Sequence, residues 1–376
     1  MKRIVCLCIS LLVLSVSLSV NAKAVAPSAK AAIVINADTN EIIYEHNADS
    51  KLPMASTTKI MTGLLLCEHG EFEKEITVTA EMLKVEGSSM GLLAGDKVTL
   101  HDLLYGLMLA SGNDAANVIA FTLGGTVNGF VKQMNNKAKE IGLENTNFVT
   151  PSGLDAPEHY TTAYDLAILT SYALKNEEFA KAVSSKSAVL NYGNPPYRRT
   201  LTNHNKLLKN YDKAIGVKTG FTKKSGRCLV SAAIEDGKTV VAVTLHDPDD
   251  WNDHKNLLEL GLSAVKTQII EPEQSEYKIP VIGSDNEMLN IEITPFEANV
   301  TNAEDLSCTV NLPKFVYAPV KEGEQIGCVI YKKGKEVIHT TPLLALREIK
   351  CAEIKENILD SIVENIKEIF LNIWEK

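Results

Sequence analysis

Ser56 and Lys59 lie three residues apart in the stretch Pro53-Met-Ala-Ser-Thr-Thr-Lys-Ile-Met-Thr62. Apolar residues at Ile60, Met61, Leu64, Leu65 and Cys67 predict a helix over 57–69, with Gly70 as its stop. At that spacing both side chains share one helix face and can hydrogen-bond. A serine hydroxyl is a weak nucleophile until a base accepts its proton. The positive potential of a helix N-terminus favours an alkoxide-like serine and disfavours a protonated lysine, and desolvation beside other cations lowers the lysine further. Ser56 and Lys59 are therefore a candidate nucleophile and neutral base. The spacing alone is common: Ser263-Ala-Val-Lys266 and Ser275-Glu-Tyr-Lys278 share it. A solvated serine and lysine is the plain alternative for any one of them.

Two further short patterns follow. Ser111-Gly112-Asn113 breaks two apolar helical runs, 101–109 and 114–123. A polar turn there can point a hydroxyl and an amide into a cleft, or simply connect two helices. Ser284-Asp285-Asn286 has the same form. Lys218-Thr219-Gly220 precedes the apolar runs 227–234 and 239–245, which Asp236-Gly237 joins as a hairpin. Lysine and threonine on a strand edge offer a cation and a hydroxyl to a carboxylate, and a glycine lets a substrate backbone approach closely. An ordinary strand-end turn is the alternative, and Lys224-Ser225-Gly226 is a neighbouring decoy read as loop.

The elements that must position these groups form an α+β pattern. Residues 31–36 and 41–44 read as strands around a turn at 38–40, and Ala163 to Lys175 as a further helix. Strands at both ends with helices between them require one sheet gathered from distant segments. The character changes near Glu271-Pro272-Glu273. Residues 275–348 carry short apolar runs between Gly, Asn and Asp, which predicts a small β domain. The expected divisions are 1–22, 23–272, 273–350 and 351–376. In the last segment Ile354, Ile358, Ile362, Ile366, Ile369, Phe370, Ile373 and Trp374 recur at three- and four-residue steps. That stripe reads as an interfacial membrane helix, or as a helix docked on its own protein or on a second copy. Its other face holds more acids than lysines, so apolar burial must drive any lipid contact.

The chain has 376 residues, enough for two or three domains. Lys plus Arg number 38 against 47 Asp plus Glu, a net of −9, so no basic surplus points to nucleic acid. Lys2 and Arg3, an apolar run to Val20, and small residues ending at Ala22 read as a secretory signal peptide over 1–22. Cys6 and Cys8 fall within it. Cys67, Cys228, Cys308, Cys328 and Cys351 remain, an odd number without a C-x-x-C pair. Zinc is disfavoured, and unpaired thiols are expected, with a Cys308–Cys328 bridge as the alternative. His246, Asp247, Asp249, Asp250, Asp253 and His254 fit no helix-borne ligand spacing and read as an acidic, solvated loop. His204 reads as a loop residue near the cleft. No cofactor fingerprint is present.

The ordered set S-x-x-K, S-x-N and K-T-G resembles the triad of penicillin-binding proteins and serine β-lactamases. Over nearly its whole length the chain resembles the low-molecular-mass D-alanyl-D-alanine carboxypeptidases of the S11 type. Met108-Leu-Ala-Ser-Gly-Asn-Asp-Ala-Ala116, Asn147-Phe-Val-Thr-Pro-Ser-Gly-Leu-Asp155, Gly216-Val-Lys-Thr-Gly-Phe-Thr222 and Trp251-Asn-Asp-His-Lys255 carry the likeness beyond the helix start. The resemblance implies an antiparallel sheet with a helical cluster, then a small β-sandwich and a terminal amphipathic anchor. It implies an exported protein, peripheral on the outer face of the cytoplasmic membrane. The implied substrate is a peptidoglycan stem peptide ending in D-Ala-D-Ala, with β-lactams as covalent inhibitors and no cofactor or metal. Ser56 would be the nucleophile and Lys59 its base. Ser111 would relay a proton, and Asn113 would hold Lys59 and the substrate amide. Lys218 and Thr219 would bind the terminal carboxylate, with Gly220 beside them, and the N–H groups of Ser56 and Phe221 would form an oxyanion hole. Some relatives carry an arginine near the stretch matching Asp249-Asp250-Trp251. This sequence has none between Arg227 and Arg347, which leaves the carboxylate to Lys218 and Thr219. A related endopeptidase or β-lactamase, and a non-catalytic cell-wall scaffold, are the competing readings.

Overall fold

The computed structural model describes residues 27–285, 287–301, 306–352 and 356–374. The expected signal peptide lies outside the described residues. The central sheet has five antiparallel strands in the order Ile42–His46, Ala31–Asn36, Lys238–Leu245, Gly226–Glu235, Ala214–Thr222. Strands near the two ends of residues 27–264 thus meet in one sheet, as the placement of the strand patterns requires. Ala31–Asn36 is buried at all six positions. Its alternation is sorted between two cores rather than between core and water. Ile33 and Ile35, with Val241 and Val243, face the large helical cluster. Val34, Val240 and Ala242 face Leu257, Leu258 and Leu262 of the helix Asp250–Ala264 on the opposite side.

Helix Lys59–His69 runs through the helical cluster. Lys59 to Leu64, Leu66 and Cys67 are buried, so it is enclosed nearly all round. Helices Leu100–Met108, Asn113–Gly124, Ala163–Leu174 and Glu177–Ser184 pack around it. Leu100–Met108 begins with a capping box, in which Thr99 and Asp102 each satisfy the other's backbone N–H.

The expected strands, helices and hairpin appear within a few residues of their sequence boundaries. One expectation is overturned. The stretch read as an acidic, solvated loop enters the helix Asp250–Ala264, and Asp247, Asp250 and His254 are buried. His254 is held between sheet hydroxyls, its Nδ1 2.5 Å from Ser231 Oγ and its Nε2 2.9 Å from Thr244 Oγ1. Burial with these partners keeps its imidazole neutral, with the pKa down to about 3. Leu257, Leu258 and Leu262 supply the apolar face that the acidic start of the segment masks.

A separate β unit follows, with its own core of Ile279, Val281, Leu289, Ile291, Val329 and Tyr331 among others. Its first strand is Lys266–Ile270, paired with Phe296–Val300 and lying before the expected division at 272/273. Glu41 of the first region accepts from Thr301 N and pairs with Lys333, tying the two regions. The five described cysteines are free. Cys308 lies opposite Tyr331, and Cys328 opposite Asn311, so the strand register separates the two thiols. The chain's last described element is the helix Glu356–Trp374.

A Cβ at Gly261 would lie 2.8 Å from Val34 Cγ1 and 3.2 Å from Val240 Cβ. The helix can sit this close to the sheet only without a side chain there. Gly261→Val is expected to cost about 1–3 kcal/mol by overpacking. The expected readout is a lower denaturant midpoint at unchanged slope in an unfolding titration.

Candidate active site

Ser56 sits in the short 3₁₀ turn Ala55–Thr58 that leads into helix Lys59–His69. The turn is heavily constrained. Thr57 Oγ1 donates to Met54 O at 2.6 Å, and Thr58 Oγ1 donates to Ala55 O at 2.8 Å. His159 supports it from below. Val149 N–H donates to His159 Nδ1 at 2.9 Å, which places the ring proton on Nε2, facing Thr58 Oγ1 at 2.9 Å. Burial holds this imidazole neutral, with its pKa down to about 4. Gly153, at φ +88°, closes over the same turn, and a Cβ there would lie 1.9 Å from Ala55 O.

Lys59 is fully buried. Its Nζ lies 2.9 Å from Ser56 Oγ, 2.7 Å from Asn113 Oδ1 and 2.6 Å from Ser152 O. Asn113 opens the helix Asn113–Gly124, and its Nδ2 donates to Glu86 O at 2.6 Å, which turns Oδ1 toward the lysine. Desolvation, then the charge of Lys218, push the Lys59 ammonium well below its ordinary pKa, with Asp114 partly opposing them. Lys218 is buried too, and desolvation brings its pKa down to about 7. Its Nζ donates to Thr219 O at 3.0 Å.

Lys218, Thr219 and Gly220 lie on the edge strand Ala214–Thr222. A Cβ at Gly220 would lie 3.0 Å from Met54 O and 3.1 Å from Ser56 N, so glycine lets this strand press against the serine turn. The open edge and the turn enclose a cleft of about 310 Å³. Of the expected residues, Ser56, Ser111, Thr219, Gly220 and Phe221 line it. Ser111 does so from a left-handed backbone, φ +56°, in the break between two helices. Lys59 and Asn113 stand behind the serine. The decoys lie elsewhere: Ser263 closes on Leu260 O at the end of its helix, and Ser225 Oγ receives Thr222 N–H inside the hairpin turn.

The cleft also contains residues that sequence reasoning missed. Ser88, Lys206, Arg227, Asp250 and Trp251 line it, together with His204, which the sequence placed only near it. Ser88 belongs to an irregular segment with no periodicity to flag it. Asp114 gathers that segment by accepting from Ser89 Oγ and the N–H groups of Met90, Gly91 and Leu92. From the hairpin Ser187–Thr202, Tyr192 Oη donates to Met90 O, and Arg199, its guanidinium about 4 Å from the ring centroids of Tyr192 and Tyr197, donates to Gly91 O. Burial and the nearby Lys218 charge lower the His204 pKa.

Comparison with known proteins identifies the family. The family model described as D-alanyl-D-alanine carboxypeptidase matches residues 18–249. The model described as penicillin-binding protein 5, C-terminal domain, matches residues 276–351. The chain is 31% identical to the D-alanyl-D-alanine carboxypeptidase DacF of Bacillus subtilis, covering 87% of each chain. It is 31% identical to DacC of Escherichia coli, covering 86% of each. Among solved structures, the D-alanyl-D-alanine carboxypeptidase DacD of Francisella tularensis superposes with a TM-score of 0.62 at 26% identity, covering 86% of this chain and 94% of that one. The chain that sets Ser56 in this cleft with the buried Lys59 behind it therefore belongs to the D-alanyl-D-alanine carboxypeptidase family of serine peptidases.

Proposed function

We propose that Ser56, Lys59, Ser111, Asn113, Lys218, Thr219, Gly220 and Phe221 carry a serine-type D-Ala-D-Ala carboxypeptidase reaction on peptidoglycan stem pentapeptides. The observation that supports it most is the set of three partners around Lys59 Nζ. A neutral amine has two N–H groups and one lone pair. Asn113 Oδ1 and Ser152 O can only accept, so they take both N–H groups. The lone pair is left for Ser56, whose O–H then donates to Nζ. Depressing the Lys59 pKa creates the base and fixes its direction together.

Ser56 Oγ attacks the carbonyl between the last two D-alanines as its proton passes to Lys59. The N–H groups of Ser56 and Phe221 receive the developing oxyanion. Thr222 N–H is turned into the hairpin toward Ser225 Oγ, and alternation along the strand puts the Phe221 N–H on the open edge. Ser111 passes a proton to the leaving amine, the C–N bond breaks, and terminal D-alanine departs. Water then hydrolyses the Ser56 ester, with Lys59, neutral again, as its activator. Lys218 and Thr219 hold the terminal carboxylate. β-Lactams acylate Ser56 as mimics of the same peptide end. The protein is extracytoplasmic and sits on the outer face of the cytoplasmic membrane through its terminal helix. Among the described residues no helix is long and apolar enough to span a bilayer. In Glu356–Trp374, Ile362, Ile366, Ile369, Phe370 and Trp374 are exposed, Trp374 by 90%. Such a face suits shallow insertion.

Four outcomes test this reading. Ser56→Ala and Lys59→Ala are each expected to lower D-alanine release from a D-Ala-D-Ala pentapeptide by at least about 1,000-fold while the thermal transition persists. Product analysis must show free D-alanine rather than transfer to an amine. For pH dependence, kcat/KM reports groups of the free enzyme. Lys218 must be charged to hold the carboxylate, and its charge is lost as pH rises through about 7. An alkaline fall beginning near there is expected, and Lys218→Arg should move it upward, since arginine stays protonated. Deletion of 351–376 should release the protein from sedimenting membranes while turnover of soluble peptide is unchanged.

A further inference from the structure

We propose that Arg227 is a second cation for the substrate's terminal carboxylate, supplied from the strand behind the open edge and held in place by Asp250 and Trp251. The inference rests on the carboxypeptidase reading above and adds a residue that reading does not contain. Arg227 lies in the strand Gly226–Glu235, directly opposite Phe221 on the edge strand. Residues two apart on a strand share a face, and directly opposed residues do so as well. Thr219, Phe221 and Arg227 therefore project on one side, and all three line the cleft.

The guanidinium is already oriented. Both carboxylate oxygens of Asp250 accept from Nη2 alone, at 2.7 and 2.8 Å. The Trp251 ring centroid lies 5.7 Å from Cζ, within cation–π range. Asp250 therefore takes nothing from the other two nitrogens, and Nε is buried without a hydrogen-bond partner among the described residues. Arginine presents five N–H groups in a planar fork suited to two carboxylates at once. The side chain is 41% exposed while Asp250 is almost wholly covered, so the pair shows the cleft its cationic end. Lys206 stands on the same wall, its Nζ 5.8 Å from the Trp251 ring centroid. A small anion at the end of an extended peptide, reaching past Thr219, meets this corner. An arginine retained only to cap the helix Asp250–Ala264 would have no need to face the cleft.

The test separates carboxylate recognition from structural support. Acylation of Ser56 is followed with benzylpenicillin and with its methyl ester, and D-alanine release with the pentapeptide. Arg227→Gln is expected to slow acylation by the acid about 10- to 100-fold and to raise the peptide KM similarly, because a charge-assisted hydrogen bond is lost. Acylation by the ester should change less than about twofold, since the ester carries no charge for Arg227 to bind. Arg227→Lys should recover part of the preference for the acid. Asp250→Asn, which loosens the arginine without removing its charge, should keep most of it. Equal losses on acid and ester, or an unchanged ratio between them, would overturn the assignment and leave Arg227 as a support for the helix start. A wild-type enzyme that releases no D-alanine would instead overturn the functional reading itself.

Discussion

The site depends on one amine kept out of water. Lys59 lies on the first turn of a helix enclosed nearly all round, and an ammonium there has lost most of its hydration. Two fixed acceptors, one a backbone carbonyl and one an amide oxygen locked by its own bond to Glu86 O, remove any choice in how the neutral form points. The lysine at the same spacing after Ser263, Lys266, is instead exposed at the start of the strand Lys266–Ile270. The chemistry thus comes from burial and acceptor placement rather than from the residue pair itself.

That constraint explains why local irregularities gather around the cleft. The serine turn can face the edge strand only because position 220 has no side chain, and Ala55 O can pass under residues 152–153 only because position 153 has none. Ala55 and Ser111 adopt left-handed backbones, and both border the lysine's surroundings. These features are held from outside by polar networks: His159 beneath the serine turn, Asp114 beneath residues 89–92, and the Tyr192–Arg199 hairpin against the same segment. Each network presents its groups at fixed angles, so little reorganisation is left for the reaction.

The sequence revealed the parts whose logic is local. Three-residue spacing at a helix start, a polar break between two apolar helices, and a lysine before a hairpin can all be read along the chain, as can the strands that form the sheet. Their convergence could not be derived from any one of them, since decoys of each motif occur; only the resemblance carried by their order supplied it. What stayed hidden depends on pairings across the fold. Arg227 was given no role, because the acid that orients it lies 23 residues later in a segment whose Asp-rich opening masked a buried helix. His159 carried no motif, because its role is to hold a threonine about a hundred positions earlier. The strand register, which keeps Cys308 and Cys328 apart, was equally invisible in their spacing.

Charge distribution links the cleft to the whole molecule. The chain is net negative, −9, yet the cleft and its rear wall bring together Lys206, Lys218 and Arg227 against Asp250. A negatively charged peptide end therefore meets a local excess of positive charge at the cleft on a chain whose net charge is negative. Low-dielectric walls concentrate that attraction, and ions in solution screen it over about 10 Å. The same crowding depresses the pKa of Lys59, because a neighbouring cation adds to desolvation there. In the proposed reaction a carboxylate held at Lys218 would keep that lysine charged, while its own negative charge would offset part of the lysine's field at Lys59. Desolvation, the larger cause, would still hold Lys59 below its ordinary pKa, so the base depends first on burial and only second on its neighbouring cation.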